Sequence, residues 1–275
     1  MAIAPYATPP ERAWYYAHRL ICFAVLLFLI APILAIMPLS FNAESFFTYP
    51  MPGLSLKWYD DFFTNPQWML GVKNSMIVGV SVTILATAIG TLAALGLSRG
   101  RFPARETIMS ILISPMMVPV IISAVGMYFF YTSISLSNSL PGLILAHTAL
   151  ATPFVVIVVT ATLSGFDYSL VRAGASLGAP PQTVFFKVIL PLILPGVISG
   201  ALFAFVTSFD EVVVVVFLAG PEQRTLPRQM FSGIRETISP TITAAATMLI
   251  LFAVIMLTTV ELLRRRSERL RGIRS

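Results

Sequence analysis

Two adjacent carboxylates, Asp210 and Glu211, follow directly after a long apolar run. An ionisable side chain at membrane depth is energetically costly and by default marks a function, so a paired carboxylate at such a place suits a cationic solute. If the helix continues through the pair, Glu211 shares a face with Ala204 and Ser208 and faces neighbouring helices. If the helix ends here, the pair is partly wet and pairs with arginines of the loop that follows. Both interpretations are open.

Prolines inside two other apolar runs supply a second polar feature. A proline within a helix frees a backbone carbonyl, and broken helices near the middle of a membrane are where transporters tend to bind substrate. At about 1.5 Å per residue from the ends of their runs, Pro119 and Pro153 both lie near the bilayer midplane. The candidate substrate pathway therefore consists of Ser208, Asp210, Glu211, Pro119 and Pro153.

Other chemistry is not visible in the sequence. The phosphate-binding pattern Gly-x-x-x-x-Gly-Lys-Ser/Thr does not occur, and without it a nucleotide has no glycine-rich cradle. His18 and His147 are isolated, and Cys22 is the single cysteine, so neither a metal site nor an intrachain disulfide is expected. His147 is expected to form a hydrogen bond between helices. We expect no catalytic residue, no metal and no cofactor in this chain.

The elements that must position these residues are membrane-spanning helices. Hydrophobic residues make up 57% of the chain, charged residues only 11%, and the mean hydropathy is +0.86. A helix crosses a bilayer with about 20 apolar residues, whereas a β-barrel needs short alternating segments. Six long apolar runs qualify: Ala17–Leu39, Val72–Leu97, Thr107–Tyr131, Leu140–Leu163, Val188–Phe209 and Ile242–Leu263. The predicted fold is an all-α integral membrane protein with six transmembrane helices.

Basic residues predict the orientation of these helices. With a cytoplasmic N-terminus, thirteen of the eighteen lysines and arginines fall on the cytoplasmic side, six of them from Arg264 onward. The positive-inside rule therefore favours both termini in the cytoplasm. Topology and contact with anionic membrane lipid account for the net charge of +6, so no nucleic-acid partner is invoked. The predicted parts are a cytoplasmic tail, 1–16, a transmembrane domain, 17–263, and a basic cytoplasmic tail, 264–275.

The longest cytoplasmic loop in this arrangement, 164–187, has more pattern than a simple turn requires. It contains RAGASLGAPPQTVFFKVILP from Arg172 to Pro191, which runs into the fifth span. Small residues permit close approach of a partner's backbone, and apolar residues of a short helix can anchor in a partner's cleft. The predicted apolar anchors are Leu177, Val184, Phe185 and Phe186. The pattern predicts a docking surface for another protein.

This segment resembles the EAA loop of the permease subunits of ABC importers. The motif reads Glu-Ala-Ala, three residues, Gly, nine residues, then Ile-x-Leu-Pro, and the spacing is kept here, with Arg for Glu at 172 and Gly for Ala at 174. The resemblance implies that the loop is a coupling helix that docks an ATPase. The implied docking residues are Arg172, Ala173, Gly174, Leu177, Gly178, Val188, Leu190 and Pro191.

Shorter matches point to the polyamine-type group of these permeases. They are Ser40-Phe41-Asn42, Leu56-x-Trp58-Tyr59, Asn74-Ser75, Ser208-Phe209-Asp210-Glu211 and Thr225-Leu226-Pro227 with Met230-Phe231. The resemblance implies the type I importer (MetI-like) permease fold in the bacterial cytoplasmic (inner) membrane. The implied partners are a second and distinct permease subunit, a cytoplasmic ABC ATPase dimer that uses ATP and Mg, and an extracytoplasmic solute-binding protein.

The sequence therefore predicts a permease subunit that imports a small organic solute, with spermidine or putrescine favoured, and that has no ATPase activity of its own. Importers of another amine, an amino-acid-like solute or an opine belong to the same group. A gradient-driven secondary transporter, which would not need the EAA-like loop, and a membrane scaffold, which would not need the prolines or the carboxylates, are alternatives from other classes.

Overall fold

The computed structural model of the protein describes residues 6, 8–98, 103–236 and 238–270. Some residues on which the predicted topology relied lie outside these ranges. They are the start of the N-terminal tail (1–5 and 7), Arg99 and Arg101 of the first cytoplasmic turn, and the end of the basic tail, 271–275.

Helices make up the architecture. Five helices in the described ranges are long and apolar enough to cross a membrane, and a bent pair adds a sixth crossing if the pair is one span. This result confirms the all-helical membrane fold. The bent pair corrects the third span, predicted as one helix over Thr107–Tyr131: its two parts, Arg105–Met116 and Val120–Ser133, meet at 97°. Pro119 explains the break, because it has no N–H and disfavours helical geometry at the preceding residue.

One compact unit contains the residues up to Thr64 and those from Gly233 onward. Its helices are α1 (Pro9–Leu39), α2 (Lys57–Thr64) and α12 (Thr241–Leu270), and α12 packs against both of the others. Thr241 Oγ1 donates to Asp61 Oδ2 at 2.6 Å, which fixes the start of α12 beside α2. No described residue of α1 is buried within the chain. Helix α1 begins at Pro9, eight residues before the predicted start of its span.

The segment between α1 and α2 is held by side chains. Tyr59 and Ser40 hydroxyls lie 2.6 Å apart, and the Trp58 indole N–H donates to the Asn42 carbonyl at 2.7 Å. Asn42 in turn donates from its amide to the Phe46 carbonyl at 2.9 Å. These bonds use residues of two of the sequence matches, Ser40-Phe41-Asn42 and Leu56-x-Trp58-Tyr59, and therefore give those matches a structural role.

The second unit, 65–232, contains the predicted site residues. Its helices are α3 (Pro66–Ser98), α4 (Arg105–Ile113), α5 (Val120–Ser133), α6 (Leu140–Ser164), α7 (Ser169–Ser176), α8 (Pro181–Val184), α9 (Leu190–Asp210), α10 (Val213–Leu218) and the start of α11 (Leu226–Glu236). Single turns of 3₁₀-helix cover Ser114–Met116 and Pro221–Gln223, and a π-helical turn covers Phe185–Ile189. Helices α3, α6 and α9 pack against one another and form the centre of the unit.

Small residues allow this close packing. Gly196, Gly200, Ala204 and Ser208, at four-residue spacing on α9, are buried. A Cβ at Gly200 would lie 3.3 Å from the Val155 Cα of α6. On α3, a Cβ at Gly90 would lie only 2.6 Å from Val155 Cβ. Both glycines are thus needed where backbones approach closely, as is usual for helices that associate in a membrane.

The segment before α11 is fixed to the start of α3. The Asn74 amide donates to the carbonyls of Glu222 and Arg224 at 2.8 and 2.9 Å, and the Leu226 N–H donates to Ser75 Oγ at 2.8 Å. The Asn74-Ser75 and Thr225-Leu226-Pro227 matches therefore lie against each other in the fold.

Candidate functional site

The predicted docking segment forms a helical hairpin of α7, a tight turn and α8, residues 169–184, which we call the α7–α8 hairpin. Helix α7 ends in a Schellman motif: the Ala179 N–H donates to the Gly174 carbonyl at 3.1 Å, and the Gly178 N–H donates to the Ala175 carbonyl at 2.9 Å. Pro180 and Pro181 follow, and Pro181 occupies the first turn of α8, where a proline is tolerated.

The two glycines of the hairpin have different roles. Gly178 has φ +77°, a left-handed conformation that costs other residues energy, and a Cβ there would meet no atom of the described chain within 4 Å. A Cβ on Gly174 would lie 3.1 Å from Val184 Cγ2. Gly178 is therefore explained by backbone conformation, and Gly174 by close contact between α7 and α8.

The four predicted apolar anchors differ in their exposure. Leu177 is 88% exposed and Phe186 is 64% exposed, so both are free to contact another protein. Val184 is only 4% exposed, and Phe185 packs against the hydrophobic core. The prediction of Val184 as a partner anchor is wrong, because its side chain packs against Gly174 within the chain. Phe185 is half-buried and still lines a surface pocket beside Phe186, so its role as an anchor stays a prediction.

The remaining docking residues lie on the outer face of the hairpin and at its exit. Arg172 and Ala173 are exposed on α7, and Val188 and Leu190 are half-buried. Pro191 follows the π-helical turn Phe185–Ile189 and stands in the first turn of α9. A π turn is a common way to accommodate a residue that cannot continue the α-helical ladder, and Pro191 has no N–H for that ladder.

Asp167 stabilises the turn that leads into α7. Its carboxylate accepts a hydrogen bond from the Ser169 hydroxyl at 2.6 Å and another from the Ser169 N–H at 2.8 Å. The hydroxyl bond first, then the backbone bond and the charge of Arg172, hold the Asp167 pKa below its ordinary value. The turn before α7 therefore has a defined geometry, and a fixed negative charge lies beside the helix N-terminus, where it is favourable.

The carboxylates of the candidate substrate pathway lie at a helix end. Helix α9 ends at Asp210, and Glu211 is extended, with φ −72° and ψ 116°. Because the helix does not continue through Glu211, this residue does not share a helix face with Ala204 and Ser208. Asp210 is exposed, and half-buried Glu211 accepts a hydrogen bond at Oε1 from the Val214 N–H at 3.0 Å. Glu211 thus caps the start of α10, which packs against α5 and α6.

Ser208 is part of a buried polar contact. His147 Nδ1 lies 3.1 Å from both the Ser208 carbonyl oxygen and the Ser208 hydroxyl, and both residues are buried. This contact joins α6 to α9 and confirms the expected role of His147 between helices. No group in the described chain hydrogen-bonds His147 Nε2, which is also buried.

The two prolines of the candidate pathway belong to different elements. Pro119 caps the N-terminus of α5 at the bend, in an extended conformation with ψ 127°. Pro153 is buried within α6, and the helix continues through it, so this proline does not break its span as Pro119 does. Ser208, Asp210 and Glu211 share one helix end, whereas the prolines lie elsewhere along the chain.

Sequence reasoning missed three residues that hold the α7–α8 hairpin. Asp167 had a local signal, because an Asp two residues before a Ser at a helix start is typical of a side-chain-capped turn. Tyr168 and Ser98 had none: the Tyr168 hydroxyl donates to Ser98 Oγ at 2.8 Å across 70 residues of sequence. Only the fold brings these two residues together.

Curated relatives align with nearly the whole chain. The spermidine/putrescine transport system permease protein PotC of Haemophilus influenzae is 31% identical over 92% of this chain and 98% of its own length. The putrescine transport system permease protein PotI of Escherichia coli K12 is 33% identical over 81% of this chain and 82% of its own.

Solved structures share the fold. A chain of a bacterial ABC transporter that imports the acidic polysaccharide alginate superposes with a TM-score of 0.76 at 16% identity, covering 94% of this chain and 99% of the other. A chain of the MetNI methionine ABC transporter gives 0.59 at 21% identity, over 74% and 99%. Residues 86–271 match the family described as the inner membrane component of binding-protein-dependent transport systems. The chain is a multi-pass membrane protein that belongs to this family of ABC importer permeases.

Proposed function

We propose that this permease imports polyamines, with spermidine and putrescine as the favoured solutes. The observation that carries the proposal is the similarity to the spermidine/putrescine permease PotC, at 31% identity across 98% of that protein. The second relative, PotI, is named for putrescine alone. Polyamines are flexible polycations, so a pathway for them needs acceptors and negative charge.

The carboxylates at the α9–α10 junction fit that chemistry. Asp210 is exposed, and Glu211 accepts a hydrogen bond from the Val214 N–H at only one of its carboxylate oxygens. Both side chains can therefore still accept hydrogen bonds from an ammonium group. A charged hydrogen bond is stronger than a neutral one, which favours a cation over a neutral solute of similar size. We infer that Ser208, Asp210 and Glu211 contribute to the pathway, with Pro119 and Pro153 shaping the helices around it.

We also propose that the α7–α8 hairpin docks a separate ATPase, which binds ATP and Mg. The sequence contains no phosphate-binding glycine-rich loop. Leu177 of the hairpin and Phe186 of the π turn that follows it leave apolar surface exposed. With both termini in the cytoplasm, the hairpin lies on the side where ATP is available. The other proposed partners are a distinct second permease and an extracytoplasmic solute-binding protein.

Reconstitution tests the function directly. The tagged chain is co-expressed with a candidate ABC ATPase, a second permease and a solute-binding protein, purified as a complex, and placed in liposomes loaded with ATP. We expect uptake of radiolabelled spermidine or putrescine that stops without ATP. Uptake of an opine or an amino-acid-like solute instead of polyamines contradicts the substrate class. Uptake driven by an ion gradient in the absence of ATP contradicts the importer mechanism.

A further inference from the structure

One side-chain hydrogen bond joins the α7–α8 hairpin to α3. The Tyr168 hydroxyl donates to Ser98 Oγ at 2.8 Å, and the Ser98 hydroxyl donates in turn to the Leu95 carbonyl at 3.0 Å. Because the Ser98 proton is used within α3, its oxygen accepts the Tyr168 proton, and the direction of the bond is set. Tyr168 is the residue that precedes the first turn of α7, and Ser98 is the last residue of α3.

The rings around Tyr168 fix its position. Phe166 and Tyr168 pack edge to face, with their centroids 5.2 Å apart, and Phe166 packs against the hydrophobic core. Edge-to-face aromatic pairs have a preferred geometry, so the Tyr168 hydroxyl is held where Ser98 can accept from it. Tyr168 therefore has its ring against Phe166 and its hydroxyl on α3, while its backbone precedes the first turn of α7.

The bond supplies a connection that the chain itself lacks. Helices α3, α6 and α9 form the packed centre of the unit. The hairpin continues covalently from α6 through Gly165–Tyr168 and into α9 through the π turn Phe185–Ile189. Helix α3 is not joined to the hairpin by a short covalent segment. The hydrogen bond from Tyr168 to Ser98 connects the two non-covalently.

We propose that Tyr168 is a positioning residue that couples movement of the hairpin to α3 through Ser98. The inference rests on the proposed function, because it requires an ATPase docked on the hairpin. Without the bond, the ATPase still docks and hydrolyses ATP, but α3 follows the hairpin less completely. Less solute is then transported for each ATP hydrolysed.

The test compares Tyr168→Phe, Ser98→Ala and the double variant in the reconstituted complex. The readout is polyamine uptake per ATP hydrolysed, together with the amount of ATPase that copurifies. We expect each single variant to lower the ratio about fivefold, the effect of one typical hydrogen bond. The double variant should lower it no further, because both single changes remove the same bond. Copurification of the ATPase should stay at the wild-type level.

Tyr59→Phe is the matched control. It removes an equivalent tyrosine–serine contact, to Ser40 at 2.6 Å, in the other unit of the chain, and should leave the ratio at the wild-type value. A wild-type ratio in Tyr168→Phe, loss of the ATPase from that variant, or additive effects in the double variant each overturn the coupling role alone, provided that the wild-type complex transports. A wild-type complex without ATP-driven uptake overturns the proposed function and this inference together.

Discussion

Single residues of the α7–α8 hairpin explain why its sequence pattern has glycine at fixed places. Gly178 stands at the one position of the Schellman motif that requires a positive φ, and its surroundings within the described chain are open. Gly174 instead has ordinary backbone geometry, but a Cβ at this position would lie 3.1 Å from the Val184 side chain. A backbone requirement and a packing requirement therefore place the two glycines four residues apart.

The backbone explanation of Gly178 predicts an unusual order of substitutions. Gly178→Ala should release more ATPase during purification than Gly178→Asn. The left-handed backbone conformation costs alanine about 1 kcal/mol and costs asparagine less. The measurement is the ATPase-to-permease ratio after affinity purification through this chain.

A groove in the partner that accepts only a small residue predicts the reverse order, since asparagine is larger than alanine. If Gly178→Asn loses more ATPase than Gly178→Ala, close approach of the partner and not the backbone conformation decides this position. Gly165→Ala is a suitable control, because a Cβ there also meets no atom within 4 Å in the part of the chain that the structure describes, and its φ of −95° is ordinary.

Motif spacing was sufficient to predict where the glycines and the exposed Leu177 lie in the hairpin, and where the final proline lies at the start of α9. It was not sufficient to predict which apolar residues face inward. Val184 and Phe186 are two residues apart in a short helical segment, and one is 4% and the other 64% exposed. Their difference depends on Gly174 and on the core of the unit, which are tertiary features.

At the scale of the helices, Val155 of α6 is a point that both α3 and α9 approach closely. Gly90 approaches it from α3 and Gly200 from α9, and Val155 itself is completely buried. A valine between two glycines allows both neighbouring helices to contact α6 at short range. Dispersion contacts of this kind, and not a hydrophobic driving force, hold helices together in lipid.

A methyl group at Gly90 should therefore destabilise the protein. Its Cβ would lie 2.6 Å from Val155 Cβ and 3.3 Å from the Thr152 carbonyl oxygen, so α3 must move away from α6. Overpacking of this kind costs about 1–3 kcal/mol. The measurement is the thermal unfolding midpoint in detergent, which should fall in Gly90→Ala.

Gly96→Ala on the same helix is the matched control, since a Cβ there meets no atom of the described residues within 4 Å. Alanine stabilises a helix by up to about 1 kcal/mol relative to glycine, so the midpoint should stay the same or rise. Equal changes in the two variants would show that helix propensity and not packing dominates at Gly90.

The bend of the third span shows where helix prediction from sequence stops. Pro119 and Pro153 are both surrounded by apolar residues, yet α6 continues through Pro153 while the chain turns by 97° at Pro119. Pro153 is buried among packed helices, which support the intact α6 around it. A proline signals a possible break, and tertiary packing decides whether the break occurs.

At the scale of the whole molecule, the first helix leaves its apolar surface uncovered by the rest of the described chain. Helix α1 has 31 residues, and none of those described is buried within the chain. Membrane lipid and the proposed second permease are the surroundings that suit this apolar surface. The parts proposed for docking and transport, from Pro119 to α10, all lie within residues 86–271 that match the permease family.

Asp210 and Glu211 should give the transport pathway its negative charge. Replacing Asp210 and Glu211 with amides should lower polyamine uptake about tenfold, because a hydrogen bond to a charged group contributes about 1.5–3 kcal/mol. The amide oxygen in Glu211→Gln can still accept from the Val214 N–H, so the start of α10 is preserved. The measurement is ATP-driven uptake of spermidine by the reconstituted complex, with the folded fraction checked by size-exclusion chromatography.

A change of solute preference separates charge from structure in this experiment. The amide variants should lose uptake of cationic amines while ATPase activity and any transport of a neutral analogue stay within about twofold, since a neutral solute makes only ordinary hydrogen bonds. Glu236→Gln, an exposed carboxylate at the end of α11, is the control and should transport as the wild type does. Unchanged uptake and unchanged preference in the amide variants would remove Asp210 and Glu211 from the pathway, whereas parallel loss for both solutes would leave them only a structural role.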